Sequence, residues 1–310
     1  MKKVFIDGSA GTTGLRIYER LESRDDITLI KLPEEKRKDK DARKEAINSA
    51  DIVFLCLPDD AARESVSLIE NENTVVLDTS TAHRTLEGWT YGFPELNENI
   101  ENELKSSKRI AVPGCHASGF IALVYPLVEA GILPKDTLLV CTSVTGYSGG
   151  GKKMIAQYES DDCDALLKAP RQYGLTQQHK HLKEMKAITG IENIPAFSPI
   201  VSDFYSGMCV TLPIFASQLS SGKTVEDIKA VYKAKYNGPV VKYNENPDEE
   251  GFLSAAALSM LDGMEIAVFG NEERILLVAR YDNLGKGASG AAVECMNISM
   301  GADKTKGLSV

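Results

Sequence analysis

The chain has 310 residues, 43% of them hydrophobic and 25% charged, with 35 Lys and Arg against 44 Asp and Glu for a formal net charge of −9. That length points to two domains, the apolar content to a globular protein, and the acidic balance away from general nucleic-acid binding. No apolar run has the length of a membrane helix, and Met1–Asp7 meets an acid too soon for a signal peptide, so a cytoplasmic protein with no membrane partner is expected.

The first third alternates strand and helix. Lys3–Asp7 reads as a strand, Gly8–Gly14 as a turn and Leu15–Leu21 as a helix. Strands follow at Ile27–Leu32, Asp51–Leu57, Thr74–Asp78 and Arg109–Val112, with helices after the charged stretch 34–45 and at Ala61–Glu70. This βαβ rhythm predicts an α/β, doubly wound, mainly parallel sheet with ligands at the carboxyl ends of its strands. Phe120 to Ala130 is a long apolar helical run. Beyond it the pattern changes. Strands are expected at Thr137–Val144, Ile200-Val201, Met208–Phe215, Pro239–Tyr243, Glu265–Gly270 and Arg274–Tyr281, and helices at Gln178–Thr189 and Val225–Tyr236. That mixture predicts an α+β domain with a mainly antiparallel sheet. The glycine-rich turn Asp282–Gly290 leads into a last apolar helix ending near Met300, expected to pack back on the first domain.

Pro113-Gly114-Cys115-His116 places a cysteine at the mouth of the apolar helix. A helix N-terminus carries unpaired N–H groups and partial positive charge, which favour a thiolate and hence covalent catalysis. The other five cysteines are less suited: Cys56, Cys141, Cys209 and Cys295 read as core thiols, and Cys163 sits among aspartates. With no paired-cysteine spacing, neither a disulfide framework nor a metal site is expected.

Gly8, Ser9, Ala10, Gly11, Thr12, Thr13 and Gly14, in a first βα turn, form a dinucleotide-binding signal, because glycines let backbone N–H groups approach a pyrophosphate. No acid closes the second strand, and Lys31 lies at its end, which favours NADP over NAD; Glu34 and Glu35 nearby oppose that preference. Arg84 offers a fork for a phosphate or carboxylate, and Thr145–Lys153 joins glycines and hydroxyls to Lys152 and Lys153 in an anion-binding combination. His179 and His181 flank Lys180 as candidate acid/base groups, while His83 and His116 are expected to make backbone and capping contacts.

On Gly8–Gly14, Val112–His116, Thr145–Lys153, Tyr173–His181 and Asp282–Gly290, the chain resembles the short-form N-acetyl-gamma-glutamyl-phosphate reductases nearly end to end. Aspartate-semialdehyde dehydrogenases and, more distantly, glyceraldehyde-3-phosphate dehydrogenases share the architecture. The resemblance implies a Rossmann domain (1–115 and 285–310) and a glyceraldehyde-3-phosphate-dehydrogenase-like domain (116–284) carrying subunit contacts, as a homodimer or homotetramer. It implies NADP(H) and reduction of a small acyl phosphate through a Cys115 thioester, in arginine biosynthesis. His179 or His181 would be the acid/base group. Ser148, Gly149 and Gly150 would help hold the cofactor, with Asn283 near the nicotinamide. Alternatives are aspartate-semialdehyde dehydrogenase, a lysine-route acyl-phosphate reductase, and a non-catalytic NADP-binding redox sensor.

Overall fold

The computed structural model describes residues 1–310 and divides the chain into Met1–Gly114 with Ala288–Leu308, and Cys115–Gly287 with Ser309–Val310. Cys115, Gly285–Gly287 and Ser309–Val310 thus fall in the second unit, where the resemblance implies 1–115 and 285–310 for the first.

The first unit runs β1 (Lys2–Asp7), α1 (Thr12–Leu21), β2 (Ile27–Ile30), α2 (Lys40–Ser49), β3 (Ile52–Leu55), α3 (Asp59–Ser67), β4 (Val75–Asp78), β5 (Thr90–Tyr91), α4 (Glu98–Ser106) and β6 (Arg109–Ala111). Its sheet has the order β2-β1-β3-β4-β6-β5, with every pairing parallel. Successive strand residues point to opposite faces, so a sheet covered on both sides needs near-continuous apolar strands. Val4, Ile6, Ile52 and Phe54 pack with Ile17 and Leu21 of α1 and Leu104 of α4. Phe5, Val53 and Leu55 pack on the other face with Ala46 and Ile47 of α2 and Ala62 of α3. The strand order reverses between β1 and β3, so the glycine turn after β1 opens at the switch point where such sheets bind ligands. Asp7, buried at the end of β1, accepts from Arg43 of α2 at 3.0 Å and from the Ser65 hydroxyl of α3 at 2.8 Å. A buried carboxylate requires such partners.

The second unit runs α5 (Cys115–Glu129), β7 (Val140–Gly146), α6 (Gly151–Tyr158), β8 (Arg171–Gln172), α7 (Leu182–Thr189), β9 (Ala196–Ser202), β10 (Met208–Phe215), α8 (Val225–Lys235), β11 (Val241–Tyr243), β12 (Met264–Gly270) and β13 (Arg274–Tyr281). Its sheet order is β11-β12-β13-β10-β7-β9-β8; only β11–β12 and β7–β9 are parallel. Helix α5 packs on β10, β13, α7 and α8 and is buried from His116 to Val124. Pro126 inside α5 has no N–H for the Ala122 carbonyl, and the buried Tyr236 hydroxyl donates to that carbonyl at 2.6 Å instead. Tyr232 donates likewise to Leu123 at 2.5 Å.

After β13 the chain passes through a wide π-type turn, Gly285–Ser289, into α9 (Gly290–Met300). Ala291, Ala292, Val293, Cys295, Met296 and Ile298 of α9 join the core around Ile17 and Leu104 in the first unit. The sequence reading passed over β5, β8, α4 and α6. The two strands have two residues each, α4 carries few apolar residues, and α6 starts within a glycine loop.

Candidate active site

Cys115 is the first residue of α5, lies outside any disulfide and is partly exposed. The Pro113-Gly114 turn precedes it in the chain, after β6. Behind it lies Gly287, where an added Cβ would come within 3.1 Å of the Cys115 Cβ. The peptide groups of this first turn are held by Tyr281, whose hydroxyl donates to the Cys115 carbonyl and accepts from the Gly119 N–H at 3.0 Å.

The next residue, His116, anchors a polar cluster. Its Nδ1 bonds the Ser143 hydroxyl at 2.7 Å and its Nε2 bonds the Tyr173 hydroxyl at 2.6 Å. The expectation of backbone and capping contacts is thereby corrected: His116 points inward, and both ring nitrogens meet side chains of other elements. His179 lies edge-on to His116 at 5.6 Å between ring centroids, His181 is also at 5.6 Å, and Phe197 closes the group at 5.4 Å. Burial, reinforced by the neighbouring His179, pushes the His116 pKa down to about 3, so this ring is neutral. Burial likewise raises the Tyr173 phenol, with the nearby Cys115 adding to the effect. The cluster therefore brings both predicted histidines to the residue beside Cys115. His179 is half-buried, and His181 is buried at the N-terminus of α7. The His181 N–H donates to His179 Nδ1 at 3.2 Å, which makes Nδ1 an acceptor and leaves Nε2 to carry the proton of the neutral ring.

The segment after β13 ties the second glycine loop in place. Asn283 donates to the Ser148 hydroxyl at 3.0 Å and accepts from the Gly207 N–H at 2.9 Å. Fully buried Asp282 accepts from Ser206 at 2.5 Å and from the N–H groups of Met260, Leu284 and Gly285. Gly149 lies against Asn283, Gly150 precedes α6, and Lys152 and Lys153 stand exposed on the first turn of α6.

In the first unit, Gly8 takes φ +89, and a Cβ there would stand 2.3 Å from the Cys56 carbonyl oxygen. A Cβ on Gly14 would stand 2.4 Å from the Gly8 carbonyl oxygen. Only glycine permits this turn. Gly11 N-caps α1 without a side-chain bond, and the buried Thr12 Oγ1 has no partner in the protein. A helix start with unmet donors and an orphaned hydroxyl fits the phosphates of a dinucleotide. Lys31, just past β2, is exposed and donates to the Tyr18 hydroxyl at 2.5 Å.

Arg84 departs from the expected clamp. It is buried, donating from Nε to the Val112 carbonyl and from a terminal nitrogen to Thr79, both at 2.9 Å. Its fork braces the loops after β4 and β6. His83, expected to make backbone and capping contacts, instead bonds Asp78 at 2.6 Å and stacks on Trp89 at 4.1 Å. Among the remaining cysteines, Cys141 and Cys295 are buried as expected; Cys56 and Cys209 are half-buried, and burial raises the Cys56 thiol to about 12.

Residues 115–283 match the semialdehyde dehydrogenase dimerisation domain and residues 33–103 the semialdehyde dehydrogenase NAD binding domain. An N-acetyl-gamma-glutamyl-phosphate reductase from Nostoc sp. is 44% identical, covering 99% of each chain. The Sinorhizobium medicae enzyme of that name is 43% identical over 97% of this chain and 99% of its own. The chain belongs to the N-acetyl-gamma-glutamyl-phosphate reductase family. Solved structures with this two-domain fold include aspartate semialdehyde dehydrogenase II from Vibrio cholerae, with a TM-score of 0.72, 15% identity and 97% and 98% coverage of the two chains. A probable aspartate-semialdehyde dehydrogenase from Pseudomonas aeruginosa gives a TM-score of 0.73 at 14% identity, covering 96% and 98%. Within the reductase fold, Tyr173, Tyr281, Asp282 and Ser143 escaped the sequence reading of the site. Their partners are 57, 166, 76 and 27 residues away, beyond any local pattern.

Proposed function

We propose that this chain reduces N-acetyl-gamma-glutamyl phosphate to N-acetylglutamate semialdehyde with NADPH, releasing phosphate, in arginine biosynthesis. The observation that carries this reading is a thiol on the first turn of α5, one residue from the His116–His179–His181 cluster. The Cys115 thiolate attacks the acyl carbon, where the sulfur–carbon bond forms and the carbonyl π pair moves onto oxygen. The N–H groups of the helix start support that oxyanion. The pair returns as the carbon–oxygen bond to phosphate breaks, and phosphate leaves with its electrons. A thioester remains on Cys115. The bound nicotinamide cofactor supplies the hydride for the reduction. His179 donates a hydrogen bond from its Nε2–H to the resulting hemithioacetal oxyanion. The oxyanion's electron pair re-forms the carbonyl as the carbon–sulfur bond breaks, releasing the aldehyde and the Cys115 thiolate. His179 is preferred over His181 because its tautomer is set and its ring is the more exposed.

Gly8–Gly14 would hold the cofactor phosphates and Lys31 its 2′-phosphate; Ser148, Gly149, Gly150 and Asn283 are assigned to the cofactor on the family resemblance. Lys152 and Lys153 neutralise substrate anions. Arg84 acts as a brace for the strand-end loops, since two of its nitrogens are committed to carbonyls. We further infer that the sheet of the second unit self-associates as a homodimer or homotetramer. One face carries Val140 paired with Ala196, and Pro213 paired with Leu276 and through it Phe269, with Phe215 60% exposed at the end.

The deciding assay is phosphate-dependent NADP reduction with N-acetylglutamate semialdehyde beside aspartate semialdehyde. Faster turnover of the acetylated aldehyde is expected, and a preference for aspartate semialdehyde overturns the substrate assignment. Cys115→Ala is expected to lose all turnover while keeping NADPH binding; retained turnover refutes the covalent route. His179→Asn is expected to slow thioester reduction more than His181→Asn, and the reverse order exchanges their roles. Fast alkylation of Cys115 with no turnover on any acyl phosphate would favour a redox sensor.

A further inference from the structure

The hydroxyl of Tyr281 sits in the first turn of the nucleophile's helix. The residue is fully buried at the end of β13. Its single proton goes to the Cys115 carbonyl, and it accepts the Gly119 N–H at 3.0 Å. These two peptide groups stand four residues apart, as the two ends of one helical turn, and the phenol spans them from outside.

A second, independent observation marks the same contact. An added Cβ on Gly119 would lie 2.7 Å from the Tyr281 hydroxyl and 2.7 Å from Val210 Cγ2. Glycine within a helix is unfavourable relative to alanine, so a glycine four residues into an otherwise well-formed helix needs a local reason. Admitting the phenol and β10 supplies one. The phenol's bond to the carbonyl offsets partial negative charge beside the sulfur and limits rotation of the Cys115 peptide group. Burial holds the phenol protonated well above its usual range, so it stays a donor at any working pH.

We propose that Tyr281 is a positioning residue for Cys115, fixing the nucleophile's peptide group and favouring its thiolate, with Gly119 as the opening that admits it. This rests on the reading of Cys115 as the nucleophile. Tyr281→Phe keeps the ring's volume and removes both bonds. Alkylation of Cys115 by iodoacetamide, followed by peptide mass spectrometry across pH, is expected to shift its midpoint upward by about half a unit. The rate at pH 7 is expected to fall about threefold. kcat is expected to fall about tenfold or more with KM for NADP unchanged, since the glycine turn is untouched. An unaltered alkylation profile and unaltered kcat in a folded Tyr281→Phe protein would overturn the assignment, as would a loss of thermal stability alone. Should Tyr281→Phe fail to fold, Gly119→Ala presses on the hydroxyl from the helix side and is read by the same alkylation profile. A wild-type profile in that variant also overturns the proposal. Cys115→Ala separates the two readings. If it retains turnover, Cys115 is not the nucleophile and the role of Tyr281 falls with it. If it is inactive and Tyr281→Phe behaves as wild type, only the positioning role fails.

Discussion

His116 shows how much a single imidazole can carry when it is buried with both nitrogens satisfied. Its ring joins α5 to β7 through Ser143 and to the segment before α7 through Tyr173, so the residue beside Cys115 is held from two sides. That arrangement requires the neutral ring. With the pKa lowered from 6.5 to about 3 in the native state, the proton is taken up on unfolding. Stability is therefore fully present above about pH 6.5 and drains away as pH falls toward 3, by at most about 1.4 kcal/mol per unit. His116→Gln, which keeps hydrogen-bonding capacity without the titration, is expected to lose stability less steeply between pH 6.5 and 4 than wild type. Chemical denaturation at a series of pH values measures this, and parallel curves for the two proteins would refute it. The sequence showed a histidine after a cysteine and no more. The partners that decide its role lie 27 and 57 residues away.

The backbone of helix α5 is supported by buried tyrosines at both the Cys115 end and the proline. Pro126 removes the donor that Ala122 needs, and Tyr236 replaces it. Tyr236→Phe should therefore leave a buried carbonyl unmet and cost about 1–3 kcal/mol. Tyr232→Phe should cost less, because Leu127 has an N–H available to Leu123. Urea unfolding of the two variants tests the ranking, and adding Pro126→Ala to Tyr236→Phe should recover part of the loss by restoring an N–H. No recovery would show that Tyr236 acts through packing alone. The apolar run Phe120 to Ala130 made the helix legible, since a helix buried on all sides is apolar on all sides. Its start at Cys115 itself was not legible, because the Pro113-Gly114 turn marks an entry region rather than a residue.

Across the whole molecule, the semialdehyde dehydrogenase dimerisation match and the bare apolar sheet face agree. Val140 is 47% exposed, an unusual state for a central-strand valine. Val140→Lys is expected to shift the protein toward monomer in light scattering coupled to size exclusion, with the circular dichroism of the fold retained. An unchanged mass would move the subunit contact elsewhere. No helix is long and apolar enough to cross a membrane.

Local chemistry in the chain was enough to determine a parallel sheet with a glycine turn at its first strand, a cysteine near the mouth of an apolar helical run, and a histidine pair at the start of another helical segment. Each of these rests on neighbours within a few positions, where periodicity, turn residues and spacing act directly. The contacts of Arg84, His116, Tyr173 and Tyr281 were decided only by folding. A guanidinium that reads as an anion clamp meets carbonyls in the turns just after β6 and β4. A tyrosine at the end of a strand comes to bond the Cys115 peptide group once β13 is laid against α5. Hydrogen bonds act over about 3 Å whatever the separation along the chain, so partners remote in sequence acquire their function only when the tertiary structure brings them together.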